Sequence, residues 1–340
     1  MSQTRSGATI STVTGDIPCE ELGATLAHEH IICEVSRHSG NPDNLIQDIP
    51  LLVDEMALFR QAGGDSIIEV TPEGIGRDPG KLRTISEASG VQIVSGIAFY
   101  EESTYPGWLR TAAVDEIADY FVRQITEGTD GVRAGLIGEL MSHNEPVANA
   151  SGYQLTTGET RVFQAAARAQ QQTGVAISTH AYGGAGHTQL DVLEQEGVDL
   201  QRVAIGHCDV RWPEDLNADL NYCLPILERG AFCQFDLIGW EHLAADDLRA
   251  DRVAALVERG YAKNLLLSTD TCRLSQLRQN GGRGFGHVWN SFLPKLRARG
   301  VTERQIHSML VDAPRCLLAG KSDAPGRCAV DFPAHKETKI

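Results

Sequence analysis

The chain has 340 residues, of which 42 % are hydrophobic and 22 % charged, and a formal net charge of −15. That length holds one large barrel or two ordinary domains, and it buries a sizeable core without cross-links. The negative balance repels nucleic-acid phosphates and anionic lipid, so neither nucleic acid nor a membrane surface is an expected partner.

The first seven residues, Met-Ser-Gln-Thr-Arg-Ser-Gly, are followed by no apolar stretch, which argues against an ordinary signal peptide. No run approaches the roughly 18 apolar residues of a membrane span. A cytoplasmic protein is the expectation. The eight cysteines, at 19, 33, 208, 223, 233, 272, 316 and 328, form no CxxC pair. Reduced thiols are therefore expected in place of a disulfide framework. Cys208 and Cys272 adjoin candidate site residues. Metal capture or oxidation is one role for them; small buried filler is the simpler one.

In chain order, residues 8–22 read as a hairpin that plugs the bottom of a barrel. Strand-like apolar runs follow at Thr25–Ile32, Ser66–Thr71, Gln92–Tyr100, Ala134–Met141, Val175–Tyr182, Val203–Asp209, Ala231–Ile238 and Asn264–Asp270. Each carries β-branched or aromatic residues over a strand's length. Helical stretches lie between them, at Leu51–Gly63, Ala113–Gly128, Glu159–Gly174 and Asp246–Gly260, and they close on glycine. In the third, Val162, Ala165, Ala166 and Ala169 make one buried face. Eight strands alternating with helices give parallel βαβ units, which close into a (β/α)₈ TIM barrel of the α/β class. An open doubly wound sheet is the alternative. Its dinucleotide-binding version lacks the GxGxxG that would follow the first strand. A single domain over residues 1–340 is expected, with a core at about 10–318 and a loose tail at 319–340.

The chemistry sits at the ends of these strands. In Ala27-His28-Glu29-His30 the period of two puts both histidines on one side and Glu29 on the other. Two imidazoles so placed clamp a metal, although an HxH pair alone also occurs as hydrogen-bonded core histidines. The runs Val175–Thr179, Val203–Gly206 and Leu265–Thr269 end in His180, His207 and Asp270. The active end of such a barrel is assembled from strand C-termini. Glu139 interrupts an apolar strand, where a buried carboxylate must be protonated, paired or bound to metal. A carboxylated lysine cannot bridge metals from that strand, because no lysine lies between Lys81 and Lys263. Glu139 is therefore the expected bridge, with a salt bridge to Arg133 or Arg168 as its competing role. Two cations sharing one water lower its pKa enough to supply a bridging hydroxide. Asp270 would ligate one ion and accept the proton. No GxSxG motif offers a serine nucleophile.

These residues in this order resemble the phosphotriesterase-related branch of the amidohydrolase superfamily. The resemblance runs through Leu26–His30, Gly74-Ile-Gly-Arg-Asp78, Arg133–Glu139, Thr173–His180 and Ile205-Gly-His-Cys-Asp209. It continues through Phe235-Asp-Leu-Ile-Gly239, Leu266–Asp270 and Gly281-Gly-Arg-Gly-Phe285, and so covers roughly residues 10–318. It implies one metal on His28, His30 and Asp270 and a second on His180 and His207, with Glu139 between them. The glutamate bridge, Asn280-Gly-Gly282 and Phe292-Leu-Pro294 look like the phosphotriesterase homology protein subgroup. Leu237 stands where quorum-quenching lactonases of the family carry Arg. Sugar-phosphate lactonases carry Lys, Arg and Tyr where this chain has Trp240, Arg273 and Gln276. Arg273 thus matches one of their three and is a candidate anion anchor, or else forms a loop salt bridge. Tyr100 lies at the family's substrate-facing aromatic position. Trp212 and Trp240 are candidates for the pocket mouth.

The expected activity is hydrolysis of a carboxyl ester, with a lactone first. Phosphotriester and amide hydrolysis are the alternatives, and a non-catalytic binding barrel comes last. Zn²⁺ suits the donor set, as would Mn²⁺, Fe²⁺ or Co²⁺. A small-molecule substrate and a homodimer are the expected partners.

Overall fold

The computed structural model describes residues 8–142, 154–181, 184–209 and 216–319. The tail expected at 319–340 lies outside these residues beyond Ala319, as do Tyr182 and Trp212. The chain opens with an antiparallel hairpin of β1 (Thr9–Thr12) and β2 (Gly15–Pro18). The first barrel strand, β3 (Thr25–Glu29), leads to a short antiparallel pair, β4 (Cys33–Glu34) and β5 (Leu45–Ile46). Seven further barrel strands follow: β6 (Ser66–Glu69), β7 (Gln92–Ile97), β8 (Leu136–Met141), β9 (Ala176–His180), β10 (Val203–Ile205), β11 (Phe232–Phe235) and β12 (Leu265–Leu267).

These eight strands pair in parallel, each with its sequence neighbour, from β3 through β6 to β12. Backbone bonds from Asp270 N to His28 O and from His30 N to Thr271 O, both 3.3 Å, join the last strand's extension to the first. That seam makes a barrel where an open doubly wound sheet would leave two edges.

Strand alternation sorts the side chains. Ala27, Ile68, Val94, Leu136, Ala176, Ala204, Phe232 and Leu266 pack together in the interior. Ile10 and Leu22 from the hairpin segment and Leu317 from the final helix pack on the same cluster. The bottom is thus closed from both ends of the chain, not by the hairpin alone. The intervening residues, such as Ile67, Ile93, Ile137 and Ile177, face the helical layer and join a second core with Phe59, Phe121 and Phe163.

Local signals set the helices. Ile49–Ala62 is capped by Asp48, whose carboxylate accepts from Leu51 N at 3.1 Å. Thr157–Thr173 starts with a reciprocal box between Thr156 and Glu159 and stops at Gly174, at φ +73°. Val114–Thr126 and Asp246–Glu258 complete the four expected helices. The expected strands extend too far at their C-terminal ends. β10 stops at Ile205 and β12 at Leu267, and the backbone then enters the left-handed region at His207 (φ +54°) and Asp270 (φ +46°). Non-glycine residues hold that conformation only where their surroundings impose it, and such positions gather at functional sites. Among the described residues, no helix is long and apolar enough to cross a membrane.

Candidate metal centre

The barrel's C-terminal end brings all six expected ligands together. His28 lies on β3 and His30 just beyond it, Glu139 on β8, His180 at the end of β9, and His207 and Asp270 on the turns after β10 and β12. Ligating atoms of His28, His30 and Asp270 lie within 4.8 Å of one another, and so do those of Glu139, His180 and His207. Glu139 connects the two groups. Its Oε2 is 3.2 Å from His28 Nε2 and 3.0 Å from His180 Nδ1, and its Oε1 is 3.4 Å from His30 Nε2. Asp270 Oδ1 is 3.2 Å from His30 Nε2, and His207 Nε2 is 3.0 Å from His180 Nδ1. The competing partners of Glu139 are engaged elsewhere: Arg133 pairs with Asp16 and Arg168 with Asp115.

Burial controls the electrostatics. Glu139 is 1 % exposed. Burial alone would raise its pKa, but His180 and His28 hold it well below the usual range. Asp270 is similarly held low against burial, first by its hydrogen bond to His30 and then by the His207, His30 and His28 charges. Burial pulls His28 down, yet Asp236 and Glu139 push it up to about 10. His207 behaves alike, pushed by Asp236 up to about 9. The site therefore has strong affinity for positive charge.

The residues fit divalent cations. Four imidazoles and two carboxylates are a borderline-to-hard N/O donor set. Neither ring nitrogen of the fully buried His28 has a well-directed hydrogen bond, and buried polar atoms seldom stay that way unless something else engages them.

A second tier of residues orients the ligands, and its members were not singled out as functional from sequence. Asp236, fully buried, reaches both groups: its Oδ2 is 3.2 Å from His28 Nδ1 and its Oδ1 is 2.8 Å from His207 Nδ1. A carboxylate behind an imidazole fixes ring orientation and basicity. His30 Nδ1 lies 2.9 Å from Thr71 Oγ1, which donates to Glu69 Oε1. Glu29, between the two histidines, accepts from Ser268 Oγ, Thr269 N and Thr269 Oγ1 at 2.7 Å and from Thr271 N at 2.8 Å. It thereby grips the residues on either side of Asp270. Glu29 and Asp236 are charges inside the otherwise apolar runs around Leu26–His30 and Phe235–Gly239, which is the sequence signal that marks them. Gly74–Asp78 is scaffold at two positions, since Arg77 donates to Gly96 O at 2.7 Å and a Cβ on Gly76, at φ +95°, would lie 2.8 Å from Glu34 N, while Ile75 just before them lines the cavity above the ligands.

A cavity of about 280 Å³ opens above the ligands. Tyr100, Leu237, Trp240, His242 and Arg273 line it. Tyr100 packs edge-on to His180, with ring centroids 5.8 Å apart. Burial, followed by the nearby Glu139 and Asp270 charges, raises its phenol well above the ordinary value, so it stays a donor. The Arg273 guanidinium lies 4.8 Å from the Trp240 ring centroid. It forms no salt bridge with a described residue, and its buried Nε lacks a partner. Cys272 also lines the cavity, whereas Cys208 is buried in the helix-facing core.

A model described as the Phosphotriesterase family matches residues 8–318. The Phosphotriesterase homology protein of Escherichia coli (strain K12) is 34 % identical over 298 residues, covering 87 % of this chain and 97 % of its own. N-acetyltaurine hydrolase of Xenopus tropicalis is 28 % identical over 356 residues, covering 92 % and 98 %. The crystal structure of a lactonase from Listeria monocytogenes matches with a TM-score of 0.82 at 25 % identity, covering 93 % and 100 %. With a family match across the barrel and a relative 34 % identical over nearly its whole length, the chain belongs to the phosphotriesterase family.

Proposed function

We propose that this chain is a binuclear-metal hydrolase of carboxyl esters, with a lactone as its first substrate class. The observation that carries the reading is Glu139 standing between two ligand groups at the floor of an open cavity. In this reading His28, His30 and Asp270 would hold one ion and His180 and His207 the other, with Glu139 placed to serve both. Zn²⁺ matches the donors, with Mn²⁺, Fe²⁺ and Co²⁺ as substitutes. When bound, the ions supply an activated water and a Lewis acid for the carbonyl oxygen.

The chain's own residues do the rest. Asp270 lies on the cavity lining beside His30, where its carboxylate would take a proton from an attacking water and return it to the leaving oxygen. Tyr100 donates to a substrate oxygen from the cavity wall. Arg273, stacked on Trp240, anchors an anionic group remote from the reacting carbonyl. A neutral triester with three arms leaves that guanidinium unused, so the anchor favours a lactone that carries an anionic group over a phosphotriester.

Amide hydrolysis is the second reading. It is favoured by the N-acetyltaurine hydrolase relative, whose named substrate carries an amide and an anionic group. Metal-loaded protein should be assayed on lactones, simple esters, N-acyl amides with and without an anionic tail, and an aryl phosphotriester. A lactone preference above about a hundredfold in kcat/KM, roughly 2.7 kcal/mol of transition-state preference, supports the first reading. Turnover confined to anionic N-acyl amides replaces it with the second.

A further inference from the structure

Three cysteines converge on the outer side of the barrel wall, away from the cavity. Cys233 lies on β11 and Cys208 follows β10. Cys223 belongs to the helix Leu216–Glu228, which packs against β11. Each is at most 1 % exposed, and their Sγ atoms lie within 4.8 Å of one another. The nearest acceptors are backbone carbonyls: Ile205 O for Cys208 at 3.2 Å, Cys208 O for Cys223 at 3.8 Å, and Cys223 O for Cys233 at 3.8 Å.

Filling space needs no such convergence, since alanine or valine would do it. Three sulfurs facing one point are the donor set of a soft cation. Metal–sulfur bonds of about 2.3 Å put the three corners of a trigonal site about 4.0 Å apart. The observed triangle reaches that size by side-chain shifts of under about 1 Å. The set contains no oxygen or nitrogen, so it selects differently from the His/carboxylate centre. Binding displaces the three thiol protons to solvent, forms three metal–sulfur bonds and changes no oxidation state. A divalent ion with three thiolates leaves one negative charge. Arg252, 4 % exposed, lies close enough to Cys223 to act on that charge.

We propose that Cys208, Cys223 and Cys233 form a second metal site, sulfur-only, for a thiophilic divalent cation. It shares no donor with the hydrolytic centre, although Cys208 directly follows His207 in the chain.

The test uses full-length, reduced, zinc-loaded protein titrated with Cd²⁺ to constant near-ultraviolet absorbance. A thiolate-to-cadmium band saturating at a single equivalent is expected, lost in Cys223→Ser and in Cys233→Ser and retained in Cys33→Ala and Cys272→Ala. Alkylation mapping of wild-type protein in urea at the unfolding midpoint, where the buried thiols open to reagent, with and without Cd²⁺ guards against a misfolded variant. Protection of Cys208, Cys223 and Cys233 together, with Cys19 and Cys316 modified normally, is the expected pattern. Absence of the band, its survival in both serine variants, or protection of other cysteines instead overturns the proposal.

Discussion

Glu29→Gln tests whether the residue between the two histidines holds the metal centre from behind. The glutamate is fully buried. Burial raises its pKa, and the hydrogen bonds from Thr271, Ser268 and Thr269 oppose that rise. Glutamine keeps one oxygen for Ser268 and Thr269 but turns an NH₂ toward Thr271 N. Leaving that buried amide without an acceptor costs about 1–3 kcal/mol. The three remaining bonds fall from charge-assisted to neutral strength, about 1 kcal/mol each. Removing a buried charge offsets part of this. A net loss of about 2–4 kcal/mol is expected, or about 4–8 °C in Tm at roughly 2 °C per kcal/mol for a chain of this size. Asp270 loses its brace on the Thr271 side and keeps a weakened one on the Thr269 side, so metal affinity should fall about 10–100-fold, as for other residues that orient ligands. Scanning calorimetry and metal content measured against a competing chelator read the two effects. Unchanged metal affinity in a folded Glu29→Gln protein would falsify the bracing role, whatever the Tm.

Three further outcomes are expected. Glu139→Ala removes the connection between the ligand groups, so the protein should retain at most one tightly held ion and lose most activity; full metal content by elemental analysis would end the bridging assignment. Arg273→Ala should raise KM about tenfold for substrates with an anionic tail and leave neutral ones within about twofold, since roughly 1.4 kcal/mol corresponds to one decade; equal effects on both would reject an anion anchor. In metal-free protein His28 and His207 have pKa values raised to about 10 and about 9. Their ion pairs stabilise the metal-free fold fully below about pH 6.5 and are lost as pH rises through those values. A metal must displace these protons, so zinc loading near pH 8 should acidify a weakly buffered solution, and the release should vanish above about pH 10. No proton release near pH 8 would contradict these assignments.

Much of this architecture is legible in the sequence because barrel and site share one periodic signal. Each strand is a short apolar run, and a ligand-type residue marks where several of them end. Val203–Gly206 before His207 and Leu265–Thr269 before Asp270 are recognisable for that reason. What escapes is whatever acts through another residue. Glu29 and Asp236 look like ordinary strand charges until the fold places them behind Asp270, His28 and His207. Strand limits also escape, since no charge, glycine or proline interrupts Leu265–Thr269 although the strand stops at Leu267. The β4–β5 pair, two residues per strand, is too short to carry any period. The thiol cluster depends on how a helix rolls against two strands, which no spacing between 208, 223 and 233 encodes.

The seam between the first and last strands has a consequence for how this protein comes into being. His28 and Asp270 meet only where the two ends of the sheet are sewn together, and His28 N donates to Ser268 Oγ across 240 positions of chain. That partner follows His28 by 240 residues, so the contact waits until all eight strands are made, and contacts so distant in sequence form late. No fragment that ends before residue 270 assembles the His28, His30 and Asp270 group. Convergence of those three side chains is then a report of barrel closure: a chain truncated before residue 270 can hold folded βα units yet never bring them together.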